Sequence, residues 1–250
     1  MQTGARAPSR QPERIRDMFD RIARRYDLMN TIMTVGLDRC WRSLAAAEAH
    51  LQPGERALDV CCGTGDLSLA IAQRFPGVQV VGLDFSEAML VCARKKAEGF
   101  ARRRARHNAV VPTFVVGDLL NLPFADDHFA ATTVAFGVRN VADLPGALRQ
   151  MVRVTRPGGN VVCLEITTPP PGFGRRFHSF WFDRAVPGLG RLVAGDGSAY
   201  SYLPSSVRSF PPPPELATMM AQAGLVDIRY RRLGLGIVAL HVGQVPKRSM

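Results

Sequence analysis

Ala57-Leu-Asp-Val-Cys-Cys-Gly-Thr-Gly-Asp66, followed by Val80-Val-Gly-Leu-Asp84, decides how this chain folds. An apolar, β-branched run ends in a Gly-Thr-Gly turn that opens a helix, and a second apolar run ends in a carboxylate 19 residues after that turn. Gly63 and Gly65 remove side chains where backbone must approach a ligand, and they take positive φ at little cost. Asp84, closing the second strand, is placed to accept both hydrogen bonds of a ribose diol, in the crevice where open α/β sheets bind ligands. The pattern is that of a nucleoside site.

Charge selects the nucleoside. A dinucleotide fingerprint needs G-x-G-x-x-G with the pyrophosphate on the helix N-terminus. Here the third glycine is replaced by Ser68, and Asp59 and Asp66 put negative charge where phosphates would sit. Carboxylates repel a pyrophosphate and suit a cationic amino-acid nucleoside, which favours S-adenosylmethionine over a nicotinamide cofactor. Asp59 is expected near the sulfonium or ammonium group, with helix capping as its alternative. Asp118, just past a third predicted strand, supplies a third contact: its carboxylate suits the adenine amine, and Leu119 and Leu120 suit the ring.

The remaining composition is that of a soluble globular chain of 250 residues, 46% hydrophobic and 21% charged, long enough for one full core. No apolar run approaches the roughly 20 residues of a membrane span. The polar, Arg-rich stretch before Arg16 lacks the apolar segment of a secretory signal, so a cytoplasmic or peripheral membrane location is expected. Five scattered cysteines without metal-ligand spacing are read as reduced packing residues, with no metal. The net charge of +11, with clusters at Arg21, Arg24 and Arg25 and at Arg102-Arg-Arg-Ala-Arg106, leaves three readings: a solvated helix face, an anionic membrane surface or nucleic acid.

Along the chain, Ile15, Met18, Phe19 and Ile22 form one apolar face of a helix over Glu13–Tyr26, and a second helix covers Asp38–His50. Strands and helices then alternate through strands at 56–61, 78–83, 113–116, 129–135 and 160–166, which implies a parallel sheet with helices on both faces. Arg156-Pro-Gly-Gly159 is expected to stop a helix and start the fifth of these strands. Thr167–Pro214 breaks the rhythm, and a helix at 215–223 and strands at 226–232 and 237–242 restore it. The expected organisation is an N-terminal helical cap (1–50), a cofactor-binding core (51–166), an insertion over the acceptor site (167–214) and a closing helix and strands (215–250).

Six segments carry a resemblance that covers about Arg14 to Val242. They are Arg16-Asp-Met-Phe-Asp-Arg-Ile-Ala-Arg-Arg-Tyr-Asp-Leu-Met-Asn30, the Cys-Gly-Thr-Gly-Asp turn, Asp84-Phe-Ser-Glu-Ala-Met-Leu90, Asn121-Leu-Pro-Phe124, Phe136-Gly-Val-Arg-Asn140 and Tyr202-Leu-Pro-Ser-Ser-Val-Arg-Ser-Phe-Pro211. Together they resemble the UbiE/MenG-type C-methyltransferases of menaquinone and ubiquinone biosynthesis. The resemblance implies a class I methyltransferase fold, a Rossmann-like, mostly parallel seven-stranded sheet with an antiparallel last strand. It also implies methyl transfer from S-adenosylmethionine to a ring carbon of a polyprenylated quinol. Cofactor contacts carry over to Thr64, Asp84, Asp118 and Leu119. Ala135 stands where some members have Ser and so offers no hydroxyl. Cys62, where bifunctional members often have Gly, tilts the reading to demethylmenaquinol over a methoxy-benzoquinol, with another phenolic acceptor as a further alternative.

The acceptor side is expected at the end of the fourth strand. Arg139 and Asn140 are placed to stabilise a developing phenolate or to orient a water as proton acceptor, unless Arg139 only pairs with a neighbour such as Asp143. Tyr26, and less strongly Tyr202, Tyr200 and His178, are further candidates. The sequence has neither an Asn/Asp-Pro-Pro-aromatic loop nor a Pro-Cys nucleophile, which argues against nucleic acid as partner. The apolar face of the first helix is either a lid packed on the sheet or a membrane contact.

Overall fold

The computed structural model describes residues 12–104, 110–169 and 204–248. Seven strands form one sheet in the order β3-β2-β1-β4-β5-β7-β6: β1 (Arg56–Val60), β2 (Gln79–Asp84), β3 (Thr113–Val116), β4 (Phe129–Ala135), β5 (Thr155–Ile166), β6 (Val226–Leu233) and β7 (Val238–Gln244). β1 to β5 are mutually parallel, and β7 runs antiparallel to both β5 and β6. The order reverses between β1 and β4, which makes their carboxyl ends the switch point where such sheets take ligands.

Burial follows from this topology. The central strands β1 and β4 are covered on both faces, with Ala57, Leu58, Val60, Ala131 and Val134 fully buried and Asp59, Thr132 and Thr133 as buried polar interruptions. One core cluster joins the sheet to α2 (Leu37–Ala47) and α3 (Asp66–Arg74) through Trp41, Ile71 and Val162. The other joins it to α5 (Leu144–Val154) and α6 (Pro213–Gln222) through Leu148, Met151 and Leu216.

The first helix, α1 (Pro12–Thr34), runs eight residues beyond the expected Tyr26. Met29 and Met33 continue its apolar face, and the helix stops where Val35 and Gly36 turn left-handed. Ile15, Met18 and Ile22 are buried, and Met18 and Ile22 pack in a cluster with Met89 of α4 (Glu87–Arg104) and Val207. This face is therefore a lid on the carboxyl edge of the sheet and is not available to lipid.

Arg156-Pro-Gly-Gly159 also differs from expectation. β5 begins at Thr155, and five of its steps oppose two of β4 between the pairs Phe129↔Thr155 and Ala131↔Asn160. This bulge takes up Pro157, which has no N–H to give a ladder, and uses left-handed Gly158 to rejoin register. Most of the expected insertion, 170–203, lies outside the described residues.

Gly65 sits between β1 and α3 at φ +81, and a Cβ there would lie 2.9 Å from the Phe114 ring and 3.1 Å from Ala93. Gly65→Ala therefore combines strain with overpacking and should destabilise the protein by about 2–4 kcal/mol in denaturant unfolding. An unchanged midpoint would mean that the turn can shift away from β3.

Candidate active site

The glycine turn is tied to the second strand by Asp84. Its Oδ2 accepts from the Gly63 N–H at 2.8 Å and its Oδ1 from the Ser86 N–H at 2.9 Å. Burial pushes the Asp84 carboxyl up to about 6 while these backbone bonds pull it down. A carboxylate offers about four acceptor sites, so Asp84 keeps capacity for a ligand beyond its backbone bonds. Asp84, Gly63, Asp118 and Leu119 line one cavity of about 260 Å³, together with Phe85, Met89 and Leu120. Asp118 holds the Leu120 N–H through Oδ1 at 2.9 Å and is itself exposed.

The other expected cofactor residues stand behind this lining. Asp59 is fully buried and accepts from Ser68 Oγ at 2.6 Å and Thr133 Oγ1 at 3.1 Å, which stitches β1 to α3 and β4. Thr64 donates to Asp27 Oδ1 of α1 at 2.6 Å and accepts from Lys96 Nζ at 2.9 Å. Lys96 also pairs with Asp27 and Asp66, so the lid, the turn and α4 meet in one polar latch. The Ala135 side chain packs into the core beside α2. Cys61, read from spacing as a packing residue, does line the cavity, with its thiol held well above the usual range by burial and by Asp84.

A second cavity of about 70 Å³ lies between α1, α2 and the ends of β4, β5 and β7. Its walls include Met29, Trp41, Ile166 and Val238, with polar groups from Asp38, Arg42 and Arg139. Phe19, Tyr26, Phe136 and Asn140 line both cavities and mark where they meet. Asn140 Oδ1 is buried there without a hydrogen-bond partner among the described residues. Burial raises the Tyr26 phenol against the pull of Arg139 and Arg42, so its hydroxyl keeps its proton at neutral pH.

Arg139 does not pair with Asp143, which instead caps α5 by accepting from the Gly146 N–H. Its guanidinium bonds Glu165 Oε1 at 2.7 Å and the Phe136 carbonyl, and its backbone N–H reaches Glu165 Oε2 at 3.2 Å. Glu165 thereby fixes the 3-10 turn Val138–Asn140. Sequence reasoning missed Glu165, the Asp38–Arg42 pair and the Lys96 latch. A lone carboxylate inside the apolar run Val161–Ile166 was the available signal, because a buried charge needs a partner. His178, Tyr200 and Tyr202 lie outside the described residues, as does part of the Arg102–Arg106 cluster. Among the described residues no group of three or more His, Cys, Asp or Glu side chains is arranged to hold a metal ion.

Residues 8–245 match the ubiE/COQ5 methyltransferase family. The chain belongs to that family. A relative from Roseiflexus castenholzii, named demethylmenaquinone methyltransferase, is 45% identical over 94% of this chain and 95% of its own length. One from Geobacter sulfurreducens, named ubiquinone/menaquinone biosynthesis C-methyltransferase UbiE, is 42% identical over 93% of this chain and 88% of its own. The fold recurs in a methyltransferase structure from Thermotoga maritima at a TM-score of 0.58, 18% identity, and coverage of 91% of this chain and 98% of that one. The protein is thus a methyltransferase built on a Rossmann-like sheet with an N-terminal helical cap.

Asp59 makes the family's glycine turn pH-sensitive, since burial pushes its carboxyl up to about 7. An unfolded aspartate releases its proton near pH ~3.9, so this group's stabilising contribution is complete below that value and is lost as pH rises toward 7. Asp59→Asn removes the titration. Relative to the parent, its unfolding free energy should rise by on the order of 3 kcal/mol between about pH 4 and pH 8. A pH-independent difference between the two proteins would place the titrating proton elsewhere.

Proposed function

We propose that this protein methylates a ring carbon of demethylmenaquinol, using S-adenosylmethionine as donor, to give menaquinol. The observation that carries the reading is the meeting of two cavities at Tyr26, Phe136 and Asn140, with a buried, unsatisfied oxygen of Asn140 at the junction. The names of the relatives supply the acceptor class.

The roomier cavity fits the donor. Asp84 suits the ribose diol, Asp118 the adenine amine, and Leu119 with Leu120 the ring, while Gly63 leaves space for close approach. S-adenosylmethionine supplies an electrophilic methyl group when bound. Asp59, Thr64 and Gly65 hold the turn in shape from behind, and Ala135 contributes core packing.

The apolar walls Met29, Trp41 and Ile166 of the smaller cavity suit an aromatic ring. Asn140 Oδ1 accepts from the hydroxyl ortho to the reacting carbon, which draws its proton and raises electron density on that carbon. Tyr26, protonated at neutral pH, donates to the same oxygen as charge develops. Arg139, ion-paired with Glu165, presents a fixed dipole at the cavity wall. The new carbon–carbon bond would form as the donor's sulfonium–methyl bond breaks to leave a neutral thioether, and the ring C–H proton would then be released to solvent, restoring aromaticity. Alignment within the joined cavities supplies much of the acceleration.

The Geobacter relative's name keeps a methoxy-benzoquinol acceptor as the alternative. The test is transfer of labelled methyl to chemically reduced demethylmenaquinone and, in parallel, to the demethylated methoxy-benzoquinol. Label in menaquinol is expected. Label in neither acceptor, with the donor bound, would overturn the reading.

Asn140→Ala should lower kcat about 100-fold with donor affinity unchanged, and Tyr26→Phe should lower it less. Arg139→Ala is a poorer probe because it strands the buried Glu165 charge, at a cost of about 3–5 kcal/mol in stability. Loss of donor binding in Asn140→Ala, measured by calorimetry, would make its role structural.

A further inference from the structure

Two surface residues are unfavourable in two ways at once. Val35 is 80% exposed and Leu235 is 74% exposed, and both are in the left-handed region, at φ 53° and 58°. A bulky or β-branched side chain is strained in that conformation, where Asn or Gly would relieve both strain and exposure. Leu37, two residues beyond Val35, and Leu28, two helical turns back along α1, are also exposed. Such outliers point toward a functional demand.

The two corners adjoin. Val35 and Leu37 flank the turn between α1 and α2, and Leu235 is in the turn between β6 and β7. A Cβ built on Gly234 would come within 2.6 Å of the Trp41 ring, one helical turn along α2 from Leu37. Met33, Thr34, Asp38 and Ile237, from the same two corners, line the acceptor cavity. The apolar tip therefore lies next to one end of that cavity without lining it.

The charge around the tip is one-sided. Between Arg21 and Arg42 the chain carries five arginines and two aspartates. Asp27 is paired with Lys96, and Asp38 with Arg42. Arg24 and Arg39 are exposed on the helices that carry Leu28 and Leu37.

We propose that this corner docks on an anionic lipid bilayer. Val35, Leu37, Leu28 and Leu235 enter the boundary between headgroups and acyl chains, and the neighbouring arginines meet lipid phosphates. Resting on the acceptor proposed above, this lets the prenyl tail stay in the bilayer while the ring enters between α1 and α2. The contact is made by the far end of α1 and not by its apolar face, which is buried against the sheet.

The test compares the parent protein with Val35→Asn/Leu235→Asn in co-sedimentation with phosphatidylcholine vesicles, with and without phosphatidylglycerol. The parent should bind the anionic vesicles, less so as salt is added, and the variant should bind at least about tenfold more weakly. Its melting temperature should hold or rise, because Asn accepts left-handed backbone. Turnover of a short-tailed quinol in solution should be unchanged, while turnover of vesicle-borne acceptor falls.

Equal sedimentation of the two proteins, or a parent indifferent to lipid charge, would overturn the proposal. So would gel filtration showing a parent dimer that the variant loses, since a second copy would then cover the tip. Failure of both proteins to methylate the short-tailed quinol would instead overturn the acceptor assignment, leaving the vesicle result to decide docking on its own.

Discussion

The structure around the site depends on one carboxylate that serves two turns. Asp84 takes the N–H of Gly63 on one oxygen and that of Ser86 on the other. The Ser86 hydroxyl then accepts from the Met89 N–H at the start of α4 and donates to Asp20 of α1. A single chain of hydrogen bonds thus links the glycine turn, the end of β2, the start of α4 and the lid. Burial penalises the charge, and several directed N–H groups offset that penalty. The same charge, fixed and pre-oriented, is what a ribose needs.

Strain is concentrated where β1 and β4 part. Cys61 and Phe136, the residues just beyond each strand, both have positive φ. Gly137 lies so close that a Cβ on it would be 2.4 Å from that of Cys61. The two strand ends are pressed together and turned outward, which leaves Phe136 facing both cavities. No regular continuation of either strand would present that ring to two compartments.

The alternating elements were legible because apolar periodicity and Gly/Pro punctuation are local properties, and β3 and β4 have the bounds their sequences announce. The β5 bulge was not, because Pro157-Gly-Gly159 reads locally as a stop and only pairing with β4 and β7 carries the strand through it. In the site, Asp84, Gly63, Asp118 and Leu119 were readable from their places at strand ends. Asp59 and Thr64 have suitable chemistry but turn toward Ser68, Thr133 and Asp27, directions that depend on distant parts of the chain. Arg139 was found without its partner because Glu165 lies 26 residues away on another strand.

Helix α1 supplies Phe19 and Tyr26 to both cavities and is latched through Asp27 and Asp20. A wall shared by two compartments makes their occupancies interdependent, since any swing of the helix that admits one ligand dismantles part of the other's enclosure. Filling either compartment then favours filling the other, and the coupling of their binding free energies is the same in both directions.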